Sequence, residues 1–140
     1  MYDELLIPTD GSHGAERGVE HGIELATRYD AAVDVLYVVD ESIYGETPAL
    51  SPAELQLEQV EATGRELVDD VVHRATERGL DAEGFVTRGR PADEIVAVAD
   101  REGVDLIVMG VHGTRPDADS HIGHVTDRVI RTAEMPVFPV

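Results

Sequence analysis

The sequence predicts a single doubly wound α/β domain, with five parallel strands and helices on both faces of the sheet. Five short apolar runs alternate with amphipathic segments, which predicts a mainly parallel sheet covered on both sides. Right-handed crossovers leave the doubly wound arrangement as the simplest topology. The chain has 140 residues and is 42% hydrophobic, enough for one packed core and too short for two. We therefore expect one domain over residues 1–140.

The strands are predicted from runs that are apolar almost throughout. The first ends at the turn Asp10-Gly11-Ser12, and the third is the weakest because only Phe85 and Val86 are large and apolar. In chain order the predicted strands are 4–9, 32–39, 82–87, 105–109 and 136–140.

The helices are predicted from apolar positions three and four residues apart and from end signals. The first begins near Ser12 and ends at 29–30. Ser51 is the expected N-cap of the second, with proline at its first position, and glycine stops it at position 79. The third opens at 89–91, with Gly103 as its C-cap. A short last helix is marked by Val125, Val129 and Ile130.

The charge excludes several classes of partner. The formal net charge is -18, with 29 acids against 11 bases, and every base is arginine. Such a surface repels nucleic acid and anionic membranes, so we predict neither as a partner. The acids are spread along the helices, which favours a solvated surface suited to concentrated salt. A docking face for a basic partner is the alternative.

The sequence also lacks the features that membrane proteins and cysteine-dependent proteins need. No apolar stretch approaches the ~18 residues that a membrane span needs. The chain has no cysteine, which excludes disulfides, thiol catalysis and thiolate metal sites. A cytoplasmic location is the default expectation.

Three glycines near the end of the chain form the pattern Gly110-x2-Gly113-x9-Gly123. The first closes the apolar run 106–109, where a strand stops and a helix follows. Such a junction leaves main-chain N–H groups that an anion can collect. The pattern differs from a P-loop, which needs a lysine, and from a dinucleotide fingerprint, whose glycines lie closer together. It predicts two main-chain approaches to one phosphate chain.

Two polar residues near the same edge have alternative roles. Asp10 follows the first strand, and its carboxylate could accept hydrogen bonds from a sugar hydroxyl or a base amino group, or cap the first helix. Thr126 is expected at the start of the last helix, where its hydroxyl could bind a terminal phosphate or a metal-bound water, or serve as an ordinary cap. Ligands of doubly wound sheets bind at the carboxyl edge.

The histidines do not predict a metal site or a catalytic triad. Those at 13, 112, 121 and 124 lie on or near the carboxyl edge, with Asp117 and Asp119 in the same loop. The set has no recognised metal-ligand spacing. No nucleophile elbow accompanies it, so we predict no metal ligands and no catalytic residues.

Five stretches resemble the universal stress proteins of the single-domain, UspA-like family. They run over the whole chain: LIPTDGS at 6–12, YVVD at 37–40, GRPADEIV at 89–96, DLIVMGVHG at 105–113 and RTAEMPV at 131–137. The resemblance implies an adenine nucleotide alpha hydrolase-like fold with strand order 3-2-1-4-5, and a dimer formed through the last strand.

The resemblance also implies a nucleotide site for ATP or AMP with Mg²⁺ or Mn²⁺. Matched residue by residue, the motif would place adenine and ribose against Pro8, Asp10 and Val38. Ribose and the first phosphates would contact Met109, Gly110 and Gly113. The outer phosphates would contact Gly123, Val125 and Thr126. Val38 would act through its main chain. Nucleotide binding would change the conformation of the protein or its choice of an unknown protein partner. ATP hydrolysis would be slow at most.

One position departs from the family pattern. Ser or Thr is expected directly after the last glycine, and this chain has His124. Imidazole is bulkier than a hydroxyl, although a protonated ring could pair with phosphate. The alternative function is therefore a nucleotide-independent homodimeric interaction module that has lost ATP binding.

The last strand predicts the dimer on physical grounds as well. Pro136 to Val140 is largely apolar and would form an exposed sheet edge, which invites pairing with another chain. Pairing with the same strand of a second copy across a two-fold axis satisfies that edge.

Overall fold

The computed structural model describes residues 1–43, 49, 51–111 and 121–140, with the main chain alone at 43 and 121–123. Strands and helices alternate along the chain, with one 3₁₀ turn at Glu41–Ile43. The strands are β1 Glu4–Pro8, β2 Ala32–Asp40, β3 Ala82–Gly89, β4 Leu106–Met109 and β5 Val137–Pro139. The helices are α1 His13–Tyr29, α2 Pro52–Glu77, α3 Pro91–Glu102 and α4 His121–Thr132.

The strands form one sheet in the order β3-β2-β1-β4-β5, and every pairing is parallel. The predicted fold class and strand order are therefore confirmed. The central strand β1 begins opposite Ala32 of β2 and ends at Pro8, opposite Leu36. Since β2 continues to Asp40, it extends past the end of β1 by several residues.

The core has two layers, one on each face of the sheet, because side chains alternate along each strand. Leu5 and Ile7 of β1 pack with α1 and α2, whereas Leu6 packs with α3 and α4. Both faces are thus apolar, which explains why the strands are continuous apolar runs rather than alternating ones. No helix in the described ranges has the length and apolar character that crossing a bilayer would require.

The helix ends mostly follow their sequence signals. The Ser51 hydroxyl accepts a hydrogen bond from the Glu54 N–H at 3.1 Å, and Pro52 is the first helical residue of α2. Gly103 ends α3 in the left-handed conformation, with φ of 68°. These caps are the ones that the sequence predicts.

The last helix differs from its predicted position. It begins at His121, so Gly123 and Thr126 both lie inside α4 rather than before it and at its start. The apolar period that predicts the helix does not extend into the polar segment preceding Val125, so the sequence pattern places the start too late.

Candidate functional site

The candidate site lies at the carboxyl edge of the sheet, around the ends of β1, β2 and β4. Pro8 is buried at the end of β1, and the next residue, Thr9, donates its N–H to the Leu36 carbonyl at 2.9 Å. The chain then turns outward, leaving Asp10 exposed. Met109 is fully buried at the end of β4 and belongs to the α3–α4 core layer.

Asp10 forms a local turn and does not cap α1. Its Oδ1 accepts a hydrogen bond from the Ser12 N–H at 2.9 Å. The N-cap is Ser12, whose Oγ accepts from the Ala15 N–H at 3.1 Å. The capping alternative for Asp10 is therefore wrong. The exposed carboxylate is held beside the first turn of α1, where it can accept a further hydrogen bond from a ligand.

The main chain of Val38 faces the space beyond β1. Alternate residues of a strand direct their N–H and C=O groups to the same neighbouring strand. Leu36 directs its carbonyl to Thr9, so Val38, two residues on, directs its main-chain groups to the same side. Because β1 ends opposite Leu36, those groups point past the end of the strand. A donor and an acceptor side by side can pair with the edge of a planar base.

Gly110 is required by helix packing. A Cβ at this residue would lie 1.7 Å from the carbonyl oxygen of Gly14, and one at Gly18 would lie 2.7 Å from the Gly110 nitrogen. The main chain of the first turns of α1 therefore contacts the main chain at the end of β4. This contact brings the positive end of the α1 dipole to the carboxyl edge. This role of Gly14 and Gly18 was not predicted, although Gly14, Gly18 and Gly22 repeat at the four-residue spacing of one helix face.

Thr126 joins α4 to the same corner. Its Oγ1 donates a 2.8 Å hydrogen bond to the Gly110 carbonyl, and the residue is only 2% exposed. The free N–H groups of a helix belong to its first turn, which here covers 121–123. Val125 and Thr126 thus lie one turn further into the helix than the sequence predicts. Gly113, the middle glycine of the pattern, falls outside the described residues.

Beside this corner, a cleft of about 290 Å³ lies between the start of α3 and the first turns of α4. The predicted site residues His124 and Val125 line it, and Ser42 after β2 contributes as well. Its other lining residues are Arg90, Pro91, Ala92, Asp93 and Arg128. Arg90 and Arg128 were not among the predicted site residues. Arg90 directly follows β3 at the same sheet edge, and this position in the sequence could have indicated a ligand role.

A buried acid lies towards the opposite end of the sheet. Asp34 on β2 is 5% exposed, and its Oδ2 has no hydrogen-bond partner within the described chain. Burial raises the pKa of Asp34 to about 7, and the neighbouring Glu4 carboxyl adds to the effect. Glu102 and Glu83 contribute further repulsion.

In the described ranges, no three His, Cys, Asp or Glu side chains are grouped to hold a metal ion. Residues 112, 117 and 119 lie outside those ranges.

The fold places this chain among the Rossmann-like α/β proteins, a class whose ligands bind at the switch point of the sheet. The model of the Universal stress protein family matches residues 1–140. The chain belongs to that family. Universal stress protein MJ0531 of Methanocaldococcus jannaschii is 37% identical over 140 residues, covering all of this chain and 82% of the relative.

Solved structures of the same family share the fold. The MJ0577 protein of Methanocaldococcus jannaschii superposes with a TM-score of 0.87 at 28% identity, over 100% of this chain and 96% of its own. A universal stress protein in complex with cAMP has a TM-score of 0.76 at 23% identity, over 99% and 97%. An Arabidopsis thaliana family protein with AMP bound has a TM-score of 0.73 at 21% identity, over 99% and 90%.

Proposed function

We propose that this universal stress protein binds an adenine nucleotide, ATP or AMP, with Mg²⁺ or Mn²⁺, at the carboxyl edge of its sheet. The observation that carries the proposal is the overhang of β2 beyond β1, which directs the Val38 main chain past the end of β1, at the same sheet edge as Asp10. Adenine would pair with that main chain and ribose with the Asp10 carboxylate. Family members with AMP and cAMP bound support nucleotides as the ligand class.

The nucleotide would act as a signal rather than as a substrate turned over rapidly. The described part of the site contains no carboxylate or imidazole arranged as an evident general base for attack on a γ-phosphate. We propose that ligand binding changes the conformation or the partner that the protein selects.

Titration calorimetry on nucleotide-stripped protein tests the binding. The titration is done in molar KCl, because the acidic surface predicts a protein suited to concentrated salt. We expect ATP or AMP to bind with Mg²⁺ or Mn²⁺ present. Asp10→Asn should weaken binding about tenfold, since a hydrogen bond to a charged group is worth roughly 1.5–3 kcal/mol. The control is Asp69→Asn on the exposed face of α2. Absence of heat together with no nucleotide retained on purification would contradict the proposal.

The second candidate function is a nucleotide-independent homodimeric module, and His124 in place of Ser or Thr favours it. It predicts that His124→Ser creates ATP affinity that the natural chain lacks, and that Gly113→Ala leaves function unchanged. If the natural chain already binds ATP well and His124→Ser changes nothing, this candidate is wrong.

A further inference from the structure

The cleft between α3 and α4 carries positive charge in a chain whose net charge is -18. Arg90 lines it from the start of α3, and Arg128 lines it from α4. His124 lies on the same wall as Arg128, one helical turn earlier, and its ring N–H can donate a hydrogen bond in either protonation state. Two arginines and a histidine, from the start of α3 and from α4, thus line one cleft.

One carboxylate offsets part of this charge. Asp93 also lines the cleft, and its Oδ1 lies 4.0 Å from Arg128 Nη2. Both side chains are more than half exposed, at 57% and 60%, so this pair contributes little. Arg128 can therefore turn towards an anion at small cost.

Arg90 is placed where a cation is intrinsically unfavourable. It is the N-cap of α3, at the positive end of the helix dipole, and its side chain makes no capping hydrogen bond. The described residues offer it no ion pair. By contrast, serine caps both α1 and α2. A guanidinium at this position becomes favourable once an anion occupies the cleft, because Arg90 and the helix dipole then attract the same charge.

We infer that Arg90 and Arg128 bind a phosphate group of the nucleotide in this cleft, next to the position where the family pattern has Ser or Thr and this chain has His124. The inference rests on the proposed function, since the cleft adjoins the Gly110–Thr126 corner through His124 and Val125. Arginine suits this role because its planar fork donates two parallel hydrogen bonds to phosphate oxygens. The two residues then determine specificity for phosphorylated nucleosides over adenosine.

The test compares affinities for adenosine, AMP and ATP at one fixed KCl concentration. In the Arg90→Gln, Arg128→Gln double variant we expect AMP and ATP to bind at least about tenfold more weakly, while adenosine affinity stays within about twofold. The matched controls are Arg101→Gln, at the other end of α3, and Arg131→Gln, one turn after Arg128 and paired with Asp127. Both controls should match the natural chain for all three ligands.

The outcomes separate this inference from the proposed function. If AMP affinity survives in the double variant, or falls in parallel with adenosine affinity, the inference is overturned while nucleotide binding stands. If the natural chain binds no nucleotide, phosphorus NMR with inorganic phosphate gives a separate readout. Line broadening that the double variant abolishes would support the arginine cleft although the proposed function has failed. No broadening would overturn both.

Discussion

The Thr126 hydroxyl donates a 2.8 Å hydrogen bond to the main-chain carbonyl of Gly110, which links α4 to the end of β4 across 16 positions of the chain. The bond is buried, and it lies beside the contact between Gly110 and Gly14. Two helices, α1 and α4, are thereby fixed to one glycine at the carboxyl edge of the sheet. The geometry of the candidate site depends on these two contacts.

Replacing Thr126 by valine should destabilise the protein by about 1–3 kcal/mol, because a buried carbonyl loses its hydrogen-bond partner. Thr126→Ser should recover much of that loss. The control is Thr132→Val. The Thr132 hydroxyl donates to the Arg128 main-chain carbonyl at an exposed position, so its loss should change the stability little. Urea unfolding of the three variants measures the difference. Equal losses for the valine variants at 126 and 132 would contradict the role of the buried bond.

Gly110→Ala should destabilise the fold on the order of 3 kcal/mol or prevent it from forming, because the new Cβ meets main-chain atoms of α1. The comparison is Gly64→Ala, whose Cβ would meet the Tyr37 ring rather than main-chain atoms. Thermal unfolding should rank Gly110→Ala well below Gly64→Ala. A Gly110→Ala protein as stable as the natural chain would show that α1 does not pack against β4 as described.

Asp34 should make the folded state less stable as pH rises. Its folded pKa of about 7 lies above the ordinary aspartate pKa of 3.8, so between these values the folded state holds a proton that the unfolded state has lost. The stability contributed by the protonated carboxyl is complete below about pH 4 and declines until about pH 7. Asp34→Asn should therefore stabilise the protein at pH 8, by an amount on the order of a few kcal/mol.

Urea unfolding of Asp34→Asn at pH 5 and pH 8 checks this sign, with Asp69→Asn as the exposed control. The gain over the natural chain should be larger at pH 8 than at pH 5, and the control should show no such difference. A gain that is the same at both pH values would mean that Asp34 is ionised throughout this range.

The dimer remains a proposal, and the far edge of β5 supports it. Within the described residues β5 pairs only with β4, and Phe138 on this strand is 42% exposed. We expect removal of 136–140 to give a monomer or an aggregate, as light scattering would detect. Because Val140 also accepts a hydrogen bond from Arg17, Phe138→Glu is the milder second variant. Dimers that persist in both variants would refute pairing through β5.

Much of the fold follows from local signals. The Ser51 cap and the Gly103 stop depend on residues within a turn of each other, and apolar runs such as 106–109 identify buried strands on their own. The start of α4 was misplaced because the segment before Val125 is polar and lacks a helical period. The site was harder to predict, since its geometry depends on residues that are far apart in the chain, such as Asp10 and Gly110, which are separated by 100 positions.

The sequence by itself determined the class of fold and the order of its elements, because short-range periodicity and capping encode these features. The edge at which a ligand would bind stays a prediction. Only the tertiary structure decided that Gly110 serves a main-chain contact with Gly14, that Ser12 rather than Asp10 caps α1, and that Arg90 and Arg128 share a cleft. The physical reason is that packing brings distant segments together at distances of a few ångströms, and no local pattern records which segments will meet.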